Sequence, residues 1–266
     1  MNPHELKAAG LALGYDGHRV VDGLDLVVPD GRITVIVGPN ACGKSTLLRS
    51  FARLLHPEAG VVTLDGTDVH RYPSRRLATV LGLLPQQPVA PEGIAVADLV
   101  GRGRFPRQGL FRQWTADDDA AVTEALRATD TLDLAARRVE ELSGGQRQRV
   151  WIAMALAQQT EVLLLDEPTT FLDVTHQIEV LDLLHELNRE RGTTVVMVLH
   201  DLNLAARYAD HIVVMAGGRI VAEGEPASVV TAEVVREAFG LEALVIPDPV
   251  SASPLVVPMG RFHSLG

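Results

Sequence analysis

The sequence predicts a layered α/β protein built on a largely parallel central sheet, with a helical segment inserted between two stretches of strand pattern. Three observations predict it. Short β-branched runs alternate with helical periodicity through most of the chain. Hairpin signals are denser in the opening third. From about residue 88 to about residue 156 the β runs disappear, and afterwards they return.

Each element follows in order. Leu24, Leu26 and Val28 alternate with polar neighbours and stop at Pro29-Asp30-Gly31, a turn sequence. Ile33-Thr34-Val35-Ile36-Val37 then reads as a buried strand, and a hairpin is expected where Val61-Val62-Thr63-Leu64 meets Asp65-Gly66. In the helical insert Thr115 reads as an N-cap, with Asp117, Asp118 and Asp119 in the first turn, where the helix dipole favours negative charge. Strand patterns resume in Val162-Leu163-Leu164-Leu165, in Thr194 to Leu199, and on both sides of Gly217-Gly218. We therefore expect one domain over 1–266: a core from 1–87 and 157–240, a helical subdomain 88–156 and a short extension 241–266.

Bulk properties narrow the class. Apolar residues make up 47% of 266 and aromatic residues 4%, so the core is expected to be Val, Leu, Ile and Ala. Cys42 is the sole cysteine, which excludes an intrachain disulfide and fits a reducing cytoplasm. The start, MNPHELKAAGLALGYDG, lacks the basic region and apolar run of a signal peptide. No apolar run reaches the roughly eighteen residues a spanning helix needs, so a membrane role is expected to come through a partner. A net charge of -10 disfavours nucleic acid as a partner, and the nine histidines show no metal-ligand spacing.

Gly38-Pro39-Asn40-Ala41-Cys42-Gly43-Lys44-Ser45-Thr46 fits G-x-x-x-x-G-K-[ST] and lies between the buried strand and a helical run. Glycines let successive amides face phosphates, Lys44 reaches the β and γ phosphates of ATP, and Ser45 offers a hydroxyl to Mg²⁺. Downstream, Val162 to Leu165 delivers Asp166 and Glu167 at the strand's C-terminal end, where α/β sheets bind ligands. Asp166 is the expected Mg²⁺ partner, and Glu167 is placed to polarise the water that attacks the γ-phosphate. One copy of each motif implies one nucleotide site's machinery per chain.

Leu142-Ser143-Gly144-Gly145-Gln146-Arg147-Gln148-Arg149 resembles the signature motif of the ATP-binding cassette family. Its physical logic is a helix N-terminus, with Ser143 as N-cap and the Gly144 and Gly145 amides able to approach a phosphate. The resemblance implies a phosphate-loop NTPase core with a mostly parallel sheet, an N-terminal antiparallel β subdomain and an inserted helical signature subdomain. It further implies ATP hydrolysis with Mg²⁺ in a head-to-tail homodimer, where Ser143, Gly144, Gly145 and Gln146 act on the partner's ATP. By the same resemblance Tyr15 stacks on adenine, Gln86 senses Mg²⁺ and the attacking water, Asp173 contacts the partner's site, and His200 touches the γ-phosphate.

A stand-alone cassette fits an importer whose permease is a separate polypeptide. Gly82 to Gln86, Pro91 to Ile94, Val100 to Pro106, Leu199 to Tyr208 and Val245 to Val250 resemble the subgroup that energises uptake of ferric siderophores. Haem and cobalamin importers are close relatives, and a soluble cassette ATPase of repair or translation is the remaining alternative. The subgroup resemblance implies a peripheral position at the cytoplasmic face of the membrane. It also implies a groove after Gln86 that grips the permease, and indirect service to a substrate-binding protein. Arg102, Arg104 and Arg107 with Phe105 read either as a partner contact or as a solvated loop. Trp151 reads as core. Cys42, at a helix N-terminus beside the phosphates, is expected to have a lowered thiol pKa.

Overall fold

The computed structural model describes residues 4–108 and 114–260. They divide into two compact units, Met1–His70 with Thr194–Gly266, and Arg71–Thr193. In chain order the elements begin with β1 (Leu6–Tyr15), β2 (His18–Val28), β3 (Ile33–Val37), α1 (Lys44–Phe51), β4 (Ala59–Leu64) and β5 (Thr67–Asp68). Next come α2 (Ser74–Val80), β6 (Leu81–Leu84), α3 (Val96–Gly101), α4 (Ala116–Ala128), α5 (Gly144–Ala157), β7 (Val162–Asp166) and α6 (Val174–Arg191). The chain continues with β8 (Thr194–Val198), α7 (Leu202–Tyr208), β9 (His211–Ala216), β10 (Arg219–Gly224), α8 (Pro226–Val229), α9 (Ala232–Phe239), β11 (Ala243–Pro247) and β12 (Pro254–Pro258).

The first unit contains the expected hairpin-rich sheet, antiparallel in the order β2-β1-β4-β5. β1 returns into β2 through Asp16-Gly17, both at positive φ (50° and 79°), the backbone that a two-residue hairpin turn demands. The same unit holds β10-β9-β3-β8. There β3 pairs in parallel with β8, Ile33 opposite Val195, and with β9, Thr34 opposite His211. Every residue of β3 and β8 is buried, the burial of a strand covered on both faces. Gly217 and Gly218 close the β9–β10 hairpin at positive φ, and a Cβ on Gly218 would stand 2.2 Å from the Val20 carbonyl oxygen. That close approach explains glycine there.

The tail forms a β11–β12 hairpin held on α7. Asn203 donates to the Val256 carbonyl and accepts from its amide, and Arg207 pairs with Asp248 at 2.7 Å.

In the second unit β6 and β7 pair in parallel, Leu81 opposite Val162. The segment expected to be helical falls inside this unit and carries α3, α4 and α5. Thr115 caps α4 in a capping box with Asp118, as the Thr and acidic first turn predicted. Trp151 is 5% exposed, in the core as expected.

The basic segment resolves differently for its three arginines. Arg104 is buried, pairs with Asp118 at 2.9 Å, and donates to the Ala157 carbonyl at the end of α5. Arg107 donates to the Gln158 and Gln159 carbonyls just beyond. Two guanidinium groups thus satisfy carbonyls that the helix end leaves open. Burial works against the charge of Asp118, but hydrogen bonds from Arg104 and Thr115 outweigh it and hold the carboxyl below its usual range. Arg102 remains exposed. Among the described residues no helix is long and apolar enough to cross a membrane.

Candidate functional site

The phosphate loop lies in the first unit, directly after β3, which ends at Val37. Gly38 (φ 153°), Ala41 (φ 62°) and Gly43 (φ 105°) bend the chain back before α1 starts at Lys44. A Cβ at Gly38 would stand 2.1 Å from the Met215 carbonyl oxygen, and one at Gly43 2.8 Å from a Val21 methyl. The loop is therefore drawn as tightly as glycine permits. α4, α5, α6, α7 and α9 each have a side-chain N-cap. α1, like α2, α3 and α8, has none among the described residues, and its first turn is largely buried. A buried helix start whose amides no side chain caps fits an anion at that place.

Lys44 is 5% exposed, and its Nζ donates to the Gly38 and Pro39 carbonyls at 2.9 Å each, folding the ammonium over the loop. Ser45 follows it, half-buried, and Thr46 is buried. Cys42 departs from the expectation. Burial pushes its thiol up, and the nearby Lys44 charge does not reverse that. Cys42 is 5% exposed, and the loop buries its side chain as packing. Tyr15 ends β1 with 41% of its surface exposed, and His200 stands exposed just after β8. Asp201 caps α7 by accepting from the Asn203 and Leu204 amides.

The second unit carries the carboxylates. β7 is buried along its whole length and ends at Asp166, itself 2% exposed, with Glu167 at 8%. Glu167 has a left-handed backbone (φ 55°), a strained conformation for a non-glycine residue. Its Oε2 accepts from Gln86 Nε2 at 2.7 Å and from the Thr170 hydroxyl at 3.1 Å. Gln86 and Glu167, far apart in sequence, are thus brought into direct contact. The Asp166 carboxylate and the Ser45 hydroxyl are hard oxygen donors of the kind that holds Mg²⁺ beside substrate phosphates.

Ser143 caps α5 in a full capping box: its Oγ accepts from the Gln146 amide at 3.2 Å, and the Gln146 side chain accepts from the Ser143 amide at 3.1 Å. The box uses those two amides and leaves the Gly144 and Gly145 amides outside it. A Cβ on Gly145 would lie 3.5 Å from Leu172, so the signature start and the loop before Asp173 lie side by side. Asp173 caps α6, and its carboxyl sits below the usual range because it accepts from the His176 amide and from the His176 ring at 2.7 Å. Sequence reasoning missed two residues of this loop system. Thr170 holds Glu167, and buried Gln148 donates to the Pro168 carbonyl at 2.9 Å. A threonine three residues after the second acid was the available signal for the first.

A glycine loop with a buried lysine, a strand-end carboxylate pair and a capped serine-glycine helix start define a phosphate-loop ATPase of the cassette kind. The chain belongs to the ABC transporter family, whose model matches residues 21–170, and it is an ATP-hydrolysing subunit. It is 55% identical over 251 residues to the achromobactin transport ATP-binding protein CbrD of Dickeya dadantii (strain 3937), covering 94% of this chain and 93% of that one. It is 52% identical over 256 residues to the ferric enterobactin transport ATP-binding protein FepC of Escherichia coli (strain K12), covering 96% and 94%. Among solved structures, a chain of an ABC transporter in an inward-facing conformation superposes with a TM-score of 0.83 at 28% identity, covering 98% of this chain and 99% of that one. The dimeric cassette MJ0796 does so with a TM-score of 0.75 at 28% identity, covering 83% and 98%.

Proposed function

We propose that this chain energises the import of ferric siderophores as a head-to-tail homodimer docked on a separate permease at the cytoplasmic face of the membrane. The observation that carries the reading is its identity of 50% or more, over nearly its whole length, to several siderophore transport ATP-binding proteins. A cobalamin import protein of Halobacterium salinarum is 41% identical, and the match spans 63% of its length, which ranks the cobalamin reading lower.

In this reading Tyr15 receives the adenine, and residues 38–46 with Lys44 bind the phosphates. Ser45, Asp166 and Gln86 would hold Mg²⁺, which supplies charge neutralisation on the phosphates. Glu167 polarises the attacking water, and His200 steadies the γ-phosphate. Ser143, Gly144, Gly145 and Gln146 of the opposite copy complete the site, and Asp173 contacts that copy, so hydrolysis waits for closure. Work on the permease comes from the tighter binding of ATP to the closed pair. The groove bounded by Ile94, Ala97, Phe105, Trp114 and Val122, and edged by Asp98, Arg102 and Asp119, is the mixed apolar and charged surface that would grip a permease helix.

Transport by the full chain, reconstituted with its permease and substrate-binding protein in vesicles, tests the reading. ATP-driven accumulation of a ferric catecholate or hydroxamate complex is expected, without accumulation of haem or cobalamin. Uptake of cobalamin or haem instead would overturn the cargo assignment.

A further inference from the structure

Among the donors that hold the Glu167 carboxylate, Gln86 and Thr170 differ in character. Gln86 reaches it from the segment after β6, a connection of |i−j| = 81, whereas Thr170 lies on the same loop, |i−j| = 3. The Thr170 amide also donates to the Glu167 carbonyl at 3.2 Å, so side chain and backbone tie one residue to the other twice. Glu167 is strained at φ 55° and nearly buried, and a carboxylate in that position is held in one rotamer by what it bonds.

In the proposed function Gln86 would also help hold Mg²⁺, a second task for the same amide that donates to the Glu167 oxygen. Thr170 has no such second task, and its bond spans a single turn of chain, so it moves with Glu167 whatever Gln86 does. We propose that Thr170 is a positioning residue for hydrolysis: its hydroxyl keeps the Glu167 carboxylate aimed from within the same loop, independently of Gln86. The inference rests on the reading of Glu167 as the group that polarises water. Misplacing a reacting group by about 1 Å costs roughly a hundredfold in rate, which sets the scale of the effect.

The test measures steady-state phosphate release and ATP binding by the full chain carrying Thr170→Val, Thr170→Ala or Thr170→Ser. Valine matches threonine in shape and keeps the backbone amide, so ATP affinity and KM are expected to stay within about twofold while kcat falls roughly 10- to 100-fold. Serine restores the hydroxyl and is expected to recover kcat to within about threefold. If valine does not fold, alanine carries the comparison with serine. Wild-type kcat in the valine or alanine protein, or a serine protein as slow as either, would overturn the inference. Glu167→Gln, measured alongside, separates the two ideas. An inactive glutamine variant beside a fully active valine variant sinks the Thr170 role alone, whereas an active glutamine variant sinks the reading of Glu167 and the inference with it.

Discussion

In the proposed function Lys44 and Glu167 divide the chemistry of the site, and each makes its own prediction. The Lys44 ammonium rests on the Gly38 and Pro39 carbonyls, ready to exchange them for phosphate oxygens. Lys44→Ala is expected to weaken ATP binding roughly tenfold or more, read by nucleotide titration, and wild-type affinity would contradict its role. Glu167→Gln keeps the shape but removes the proposed base, so kcat should fall about a hundredfold or more with ATP binding intact. Asp248 gives a prediction about pH. Hydrogen bonds from Arg207 and from the Val250 and Ser251 amides lower its carboxyl to about 2, against about 3.9 in an unfolded chain. Its contribution to stability is therefore complete above about pH 4 and is lost as pH falls toward 2. The stability gap between wild type and Asp248→Asn, measured by urea unfolding, should narrow over that interval; a gap that stays constant would contradict the pairing.

At the scale of elements, caps and carbonyl clamps decide where helices begin and end. Ser143 serves both as the N-cap of α5 and, in the proposed function, as a phosphate ligand. Ser143→Asp separates those tasks, because aspartate caps as well as serine but sets a negative charge against a phosphate. The variant should unfold at nearly the wild-type temperature yet lose ATPase activity; loss of stability alone would assign Ser143 to the fold. Arg104 is fully structural. Removing it by Arg104→Met leaves Asp118 buried without its cation, at an expected cost of about 3–5 kcal/mol in chemical unfolding. The elements show where sequence is readable. β3, the Thr115 and Ser143 caps and the Gly217-Gly218 hairpin were legible because each is set by residues within a few positions. The burial of Arg104 was not, because its partners Asp118, Ala157 and Gln159 lie 14, 53 and 55 positions away. Cys42 misled for a related reason: its helix-start position favours a thiolate, but the surrounding packing that raises its pKa is tertiary.

On the scale of the whole molecule, the nucleotide-binding and carboxylate motifs were legible in order and spacing. The Thr170 contact with Glu167 was signalled only by its spacing, a threonine three residues after the second acid, and the reading passed over it. In the proposed function the chain, whose relatives are transport ATP-binding proteins, works through a membrane permease. It also needs a second copy, because Ser143 acts, in this account, on a nucleotide bound elsewhere than in its own chain. A structure of the Glu167→Gln protein with Mg-ATP measures that claim directly. The account predicts two copies head to tail, with Ser143 Oγ and the Gly145 amide of each within hydrogen-bond distance of the γ-phosphate held by the other copy's Lys44. Ser143 turned to solvent, or a nucleotide enclosed within one chain, would contradict it.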